Sequence, residues 1–386
     1  MSENSQVRTL VLSGGGGRGA FHAGVWKYLS QEEKPGVDAA HQGKWEPRIV
    51  VGTSIGAVNG AAITQGVDAA TLEQFWLSLR EHHIQGLPPG MGRIARWVAN
   101  IVLRKSIGVP LKPVSEDKAF SPDVSESWPP LPLMPRPISR RLIGRWNNLL
   151  DTRPLYDTLI ERLGLSEEKI SASDIALLIS ATNVQTGEGT VFSNREVIDE
   201  DTGQPRPHVK TPIDVRRIIA SCSIPLVYPW TQDRDGEVYW DGAVVANTPL
   251  GPSFDICAAK NIPVEQDMEA VIVMMTPWWE TDQAAMSYGR MPENFGEAIT
   301  WTLDWALLAS FRAELRLLHS FNKLAETSRK MGEPQKYRIV NDVIVAPEEF
   351  LPVERIIDYD EKASRMLIEM GYKAAEKAFQ KQFPAG

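Results

Sequence analysis

The feature that most constrains this chain is a unit that occurs twice in its first 65 residues: an apolar run, a glycine-rich turn, then apolar residues at helical spacing. Residues 9–12 are apolar and stop at a glycine cluster, and residues 20–29 follow with helical periodicity. Residues 49–51 are β-branched, residues 52–56 form a tight turn, and residues 57–65 are a run of small side chains that suits a helix. Two strand-turn-helix units in succession imply a parallel sheet. Further β runs are expected at residues 175–182, 271–275 and 342–345, and long helices at 296–328 and 361–381. The expected fold class is α/β, a mostly parallel central sheet flanked by helices on both faces.

Residues 84–150 break this rhythm. Ten of the 27 prolines fall there, with Trp97, Trp128 and Trp146 interspersed, and ten Lys and Arg stand against four Asp and Glu in a chain of net charge -8. The segment is expected to be an insertion within a single domain spanning residues 1–386, which has 43% apolar residues and shows no linker or repeat. Within it, residues 91–105 place Ile94, Trp97, Val98, Ile101 and Val102 on one helical face and Arg93, Arg96 and Arg104 on the other. Two readings fit: a cap packed on the core, or a lid that docks peripherally on an anionic membrane with tryptophan at headgroup depth.

The acidic balance argues against nucleic-acid binding. Cys222 and Cys257 form no C-x-x-C pair, so neither a disulfide framework nor a metal site is expected. The N-terminus lacks the pattern of a secretory signal, and the uncharged stretch 49–67 is too rich in Gly, Thr, Ser and Asn for a spanning helix. A cytoplasmic location is expected. Oligomeric state is not encoded in any pattern seen.

Gly52-Thr53-Ser54-Ile55-Gly56 is a G-x-S-x-G pentapeptide between a β run and a helix, the context in which that motif raises a nucleophile on a sharp turn. Gly52 and Gly56 supply the room such a turn needs. Ser54 could equally be a helix N-cap. The run Gly14-Gly15-Gly16-Gly17-Arg18-Gly19 also matches G-x-G-x-x-G, but the second β run ends in Val51-Gly52-Thr53, with no carboxylate for a ribose. A dinucleotide-binding oxidoreductase is therefore the weaker reading, and no cofactor is expected. In an acyl hydrolase these glycines would form an oxyanion hole, with the N–H groups of Gly15, Gly16 and Gly17 as donors. Arg18 reads either as a surface residue or as a cation that favours an anionic headgroup.

A serine hydrolase with a histidine base would carry that histidine in a loop after a strand. Of the six, only His208 and His319 follow Ser54 at a distance; His208 lies in a polar loop, and His319 sits in a strong helical pattern. Instead, Asp241-Gly242-Ala243 follows a short β run. Together the three blocks resemble the patatin-like phospholipases, whose glycine-rich loop, G-x-S-x-G elbow and D-G-G or D-G-A block occur in this order. Residues 151–155, 220–225 and 358–372 also look like features of that family. Ser13 departs from it, standing where many members have aspartate, and Ala243 replaces a second glycine.

The resemblance implies a three-layer α/β/α fold, Ser54 as nucleophile, Asp241 as its base, Gly14 to Gly19 as the oxyanion loop, and no metal. It also implies fatty-acyl esters of phospholipids or other lipids as substrates. A catalytically silent lipid-binding protein of the same fold is the alternative.

Overall fold

The structure, a computed structural model, describes residues 6–87, 148, 150–199, 202–279, 291–292, 295–351, 356 and 359–386. The chain runs β1 (Val7–Leu12), α1 (Ala20–Leu29), β2 (Ile49–Thr53), α2 (Ile55–Thr64), α3 (Ala69–Ser78), α4 (Glu81–Ile84), α5 (Arg153–Glu161) and α6 (Glu167–Ala172). It continues through β3 (Ala176–Asn183), β4 (Gly189–Ser193), β5 (Val209–Lys210), α7 (Val215–Ser221), β6 (Thr231–Gln232), β7 (Val238–Asp241) and α8 (Gly251–Ala259). β8 (Met268–Val273), α9 (Phe295–Met331), β9 (Val340–Val345) and α10 (Glu361–Gln382) complete it.

The sheet order is β5-β4-β3-β2-β1-β8-β9, and the five strands from β3 to β9 are mutually parallel. Their side chains alternate between two cores. Leu10, Leu12, Val50, Leu177, Ile179, Val271 and Val273 face a cluster shared with α1, α2 and α10. Val11, Ile49, Val51, Leu178, Ala270 and Ile272 face a second cluster with Ile256 of α8 and Leu308, Phe311 and Leu315 of α9. A sheet buried on both faces needs apolar residues at every position, which is why these strands read as continuous runs rather than alternating ones. Each fully buried Val, Leu or Ile contributes roughly 1.5–3 kcal/mol. The α/β/α layering expected from the sequence is therefore the observed fold.

Within the first of these layers α1 and α10 meet backbone to backbone. A Cβ on Gly24 of α1 would stand 1.9 Å from the Ile368 carbonyl oxygen, and one on Gly371 of α10 2.1 Å from that of Phe21. Only glycine at both positions lets the first and last helices pack this closely. Asp360 starts α10 by accepting the Ala363 N–H at 2.8 Å.

The expected insertion, including residues 91–105, lies outside the described residues except at 84–87, 148 and 150. Its ends meet: Gly86 and Asp151 exchange backbone hydrogen bonds of 2.9 Å in an antiparallel bridge. Among the described residues no helix is long and apolar enough to cross a membrane.

Strand β3 aligns the site. One of its edges is taken by β4 across Leu178–Thr182. The other edge pairs with β2 as far as Ser180, opposite Thr53, and then with β7 from Ala181, opposite Asp241. β2 and β7 thus lie end to end along one edge, and the residue after Thr53 abuts Asp241.

Candidate active site

Ser54 occupies the junction of β2 and α2 with φ 55° and ψ −127°, a conformation that non-glycine residues avoid and that costs about 1–3 kcal/mol. The surroundings impose it. A Cβ on Gly52 would lie 2.4 Å from the Gly56 oxygen, and one on Gly56 2.1 Å from the Leu12 oxygen, so both flanking positions exclude side chains. The Ser54 N–H donates to Ser221 Oγ at 2.8 Å, and Ser221 Oγ donates to the Ser180 carbonyl at 2.7 Å. Ser54 makes no side-chain capping bond to α2. That removes the N-cap reading, and its side chain lies beside the Asp241 carboxyl.

Asp241 ends β7 and is buried. Its N–H donates to the Ser223 carbonyl at 2.9 Å, and its Oδ1 accepts the Ala243 N–H at 2.9 Å. Burial pushes its carboxyl up to about 7, against the opposing pull of the neighbouring Ser54 hydroxyl and the Ala243 N–H. The Ala243 departure is thereby explained, since only its backbone N–H is used. Gly242 has no such freedom: a Cβ there would meet Ser180 Oγ at 2.0 Å and its carbonyl oxygen at 2.4 Å.

The glycine run wraps against Ser54, close enough that a Cβ on Gly14 would lie 2.9 Å from that of Ser54. Its N–H groups are not equivalent. Gly14 donates to Asn247 Oδ1 at 2.8 Å, and Arg18 donates to the Gly15 carbonyl at 3.2 Å. Gly16 to Gly19 form a 3₁₀ turn, and first-turn N–H groups have no partner inside a helix. Among the described residues those of Gly15, Gly16 and Gly17 have no acceptor.

Arg18 departs from both expectations. It is only 2% exposed, and its guanidinium reaches Asp304 Oδ1 of α9 at 3.1 Å and the Leu351 carbonyl at 2.9 Å. Burial pushes the Asp304 carboxyl up, and Arg18 pulls it back. Arg18 and Gly14 therefore shape the loop, while the three glycines between them present free donors.

No histidine contacts the Ser54–Asp241 pair among the described residues. His319 bonds Asp342 at 3.1 Å on the surface of α9. His22, buried in α1 beside Asn59, is pushed down to about 3 by burial and stays neutral. No group of three His, Cys, Asp or Glu among the described residues could hold a metal ion. Ser221, Asn247 and Asp304 were not singled out from sequence. The block at residues 220–225 resembles the family, but nothing in it signals that Ser221 holds the Ser54 backbone and that the Ser223 carbonyl holds that of Asp241.

Fold and site together define an α/β protein with a serine on a strained strand-to-helix turn, set beside a buried carboxyl group. The chain belongs to the patatin-like phospholipase family, whose profile matches residues 10–253. Among solved structures it is similar to VipD from Legionella pneumophila, at 14% identity and a TM-score of 0.39, over 98% of this chain and 67% of that one. It is also similar to the type III effector protein ExoU, at 11% identity and a TM-score of 0.36, over 98% of this chain and 53% of that one. The chain thus spans about two thirds of the one and half of the other. No curated protein matches it.

Proposed function

We propose that the protein is a lipid acyl hydrolase that cleaves fatty-acyl esters of glycerophospholipids or neutral lipids through a Ser54–Asp241 dyad. The observation that carries this reading is Ser54, on a strained turn at the end of β2, set beside the buried Asp241 at the end of β7, whose carboxyl burial pushes up to about 7. A carboxylate of ordinary pKa is a poor base for an alcohol, and one raised to about 7 is closer to the proton it must accept. Asp241 takes the Ser54 proton as the oxygen attacks the ester carbonyl. The N–H groups of Gly15, Gly16 and Gly17 stabilise the oxyanion, and the strained turn holds the attacking atom beside them. Asp241 returns the proton to the leaving alcohol, which gives an acyl-serine. Water then attacks that ester with Asp241 again as base, and Ser54 is regenerated.

The test is labelling by a fluorophosphonate probe together with hydrolysis of a soluble short-chain ester. Wild type is expected to label and turn over, and Ser54→Ala to lose both, with hydrolysis down roughly 10⁴-fold or more. Asp241→Asn is expected to retain the fold and lose turnover. Labelling that survives in Ser54→Ala sinks the assignment, and a folded wild type that neither labels nor hydrolyses any acyl ester favours the silent lipid-binding alternative.

A further inference from the structure

On the face of the sheet away from α2, helices α8 and α9 leave a cavity of about 750 Å³ against β8. This lies within the roughly 300–1,000 Å³ of small-ligand sites. Phe254, Cys257, Ile272, Phe311, Leu315 and Leu318 form its apolar walls. Its lining runs from Pro249 and Leu250 before α8 to Ile262 and Arg338, and takes in Ile272 of β8.

The two ends differ in charge. Pro249 and Leu250 close one end, at the edge of the sheet where the parallel strands finish and where Asn247 reaches Gly14. Glu314 lies there, accepting a long 3.5 Å hydrogen bond from the Leu250 N–H, and burial pushes its carboxyl up toward the neutral form. Lys336 and Arg338 close the other end, just before β9 begins at Val340. Arg338 is 8% exposed, and its guanidinium donates to the carbonyls of Ile262, at 3.0 Å, and Gln266. Among the described residues no carboxylate pairs with Arg338 or Lys336. Lys260 and Arg48 add positive charge near Cys257. A guanidinium keeps its charge in a protein, and burying it without a counter-ion is costly, so this end is built to receive an anion.

A half-open apolar cavity with two cations at one end that no carboxylate among the described residues pairs fits a single-chain amphiphile with a compact anionic head. A planar carboxylate matches the guanidinium fork. We propose that this cavity binds a long-chain fatty acid, its carboxylate at Arg338 and Lys336 and its tail along β8 toward Leu250. The anionic end lies at the opposite edge of the sheet from Ser54, so the occupant is a ligand and not a molecule poised for attack. The site is independent of the hydrolase reading.

The experiment uses the full chain carrying Ser54→Ala, so that no turnover interferes. Dansyl-labelled undecanoic acid is bound and then displaced by palmitate, hexadecanol or lysophosphatidylcholine below their micellar concentrations. Palmitate is expected to displace the probe, with hexadecanol roughly tenfold weaker for want of the charge. Lys336→Gln, on the surface, is expected to weaken palmitate and leave hexadecanol unchanged. Ala258→Phe, which fills the cavity, is expected to abolish probe binding while thermal unfolding stays cooperative. The proposal is overturned if folded Ala258→Phe binds palmitate as the parent does, if hexadecanol matches palmitate, or if lysophosphatidylcholine displaces the probe as well as palmitate does.

Discussion

At the scale of single residues the site concentrates its cost on Asp241. A carboxyl with a folded value near 7 and an unfolded value near 3.8 binds more protons in the native state between those limits. Native stability contributed by this group therefore falls as pH rises from about 4 to about 7, and above 7 the full penalty of a buried charge is present. Converted by linkage, that penalty is on the order of 4 kcal/mol. Asp241→Asn should accordingly be more stable than wild type at pH 8, with the gain shrinking toward zero near pH 4; thermal unfolding at both pH values measures it. In wild type, hydrolysis should rise through about pH 7 and level off above it, because the ionised form is the base. A rate that falls through that range contradicts Asp241 as base. His22 acts in the opposite sense: its folded value of about 3 lies below the unfolded 6.5, so its contribution to stability is lost as pH drops through that interval.

At the scale of elements the decisive arrangement is β2 and β7 sharing one edge of β3. It brings two residues nearly two hundred positions apart side by side, and Gly242 is the point where the arrangement is most easily broken. Gly242→Ala places a methyl 2.0 Å from Ser180 Oγ and 2.4 Å from the Ser180 carbonyl oxygen, so β7 must pull away from β3. The expected result is a loss of about 1–3 kcal/mol, typical of overpacking, together with a loss of hydrolysis far larger than that destabilisation explains. Unaltered kinetics in Gly242→Ala would show that strand register does not position the base. Helix α9 contributes in a different way: it begins beyond the matched family segment, yet its Asp304 holds Arg18 inside the glycine loop.

At the scale of the whole molecule the buried Arg18–Asp304 pair links the layer on one face of the sheet to the loop beside Ser54. Asp304→Ala removes the carboxylate facing a buried guanidinium, a change that costs about 3–5 kcal/mol when a buried pair is broken. The melting temperature should fall, and turnover of a soluble ester should fall with it because the loop loses its anchor; a variant that melts early but turns over normally would confine the pair to stability. The sequence alone determined the parallel sheet and singled out Ser54, Asp241 and the glycines around them as the candidate site. Those signals are local: β-branched runs, helical spacing and glycines needed within a few residues of the turn they serve. Tertiary structure decided which glycine N–H groups have no acceptor among the described residues, that Arg18 is buried and turned away, and that Ser221 holds the Ser54 backbone. Each of those outcomes depends on a partner 286, 233 or 167 positions distant, and no spacing rule in a single chain encodes contacts of that range.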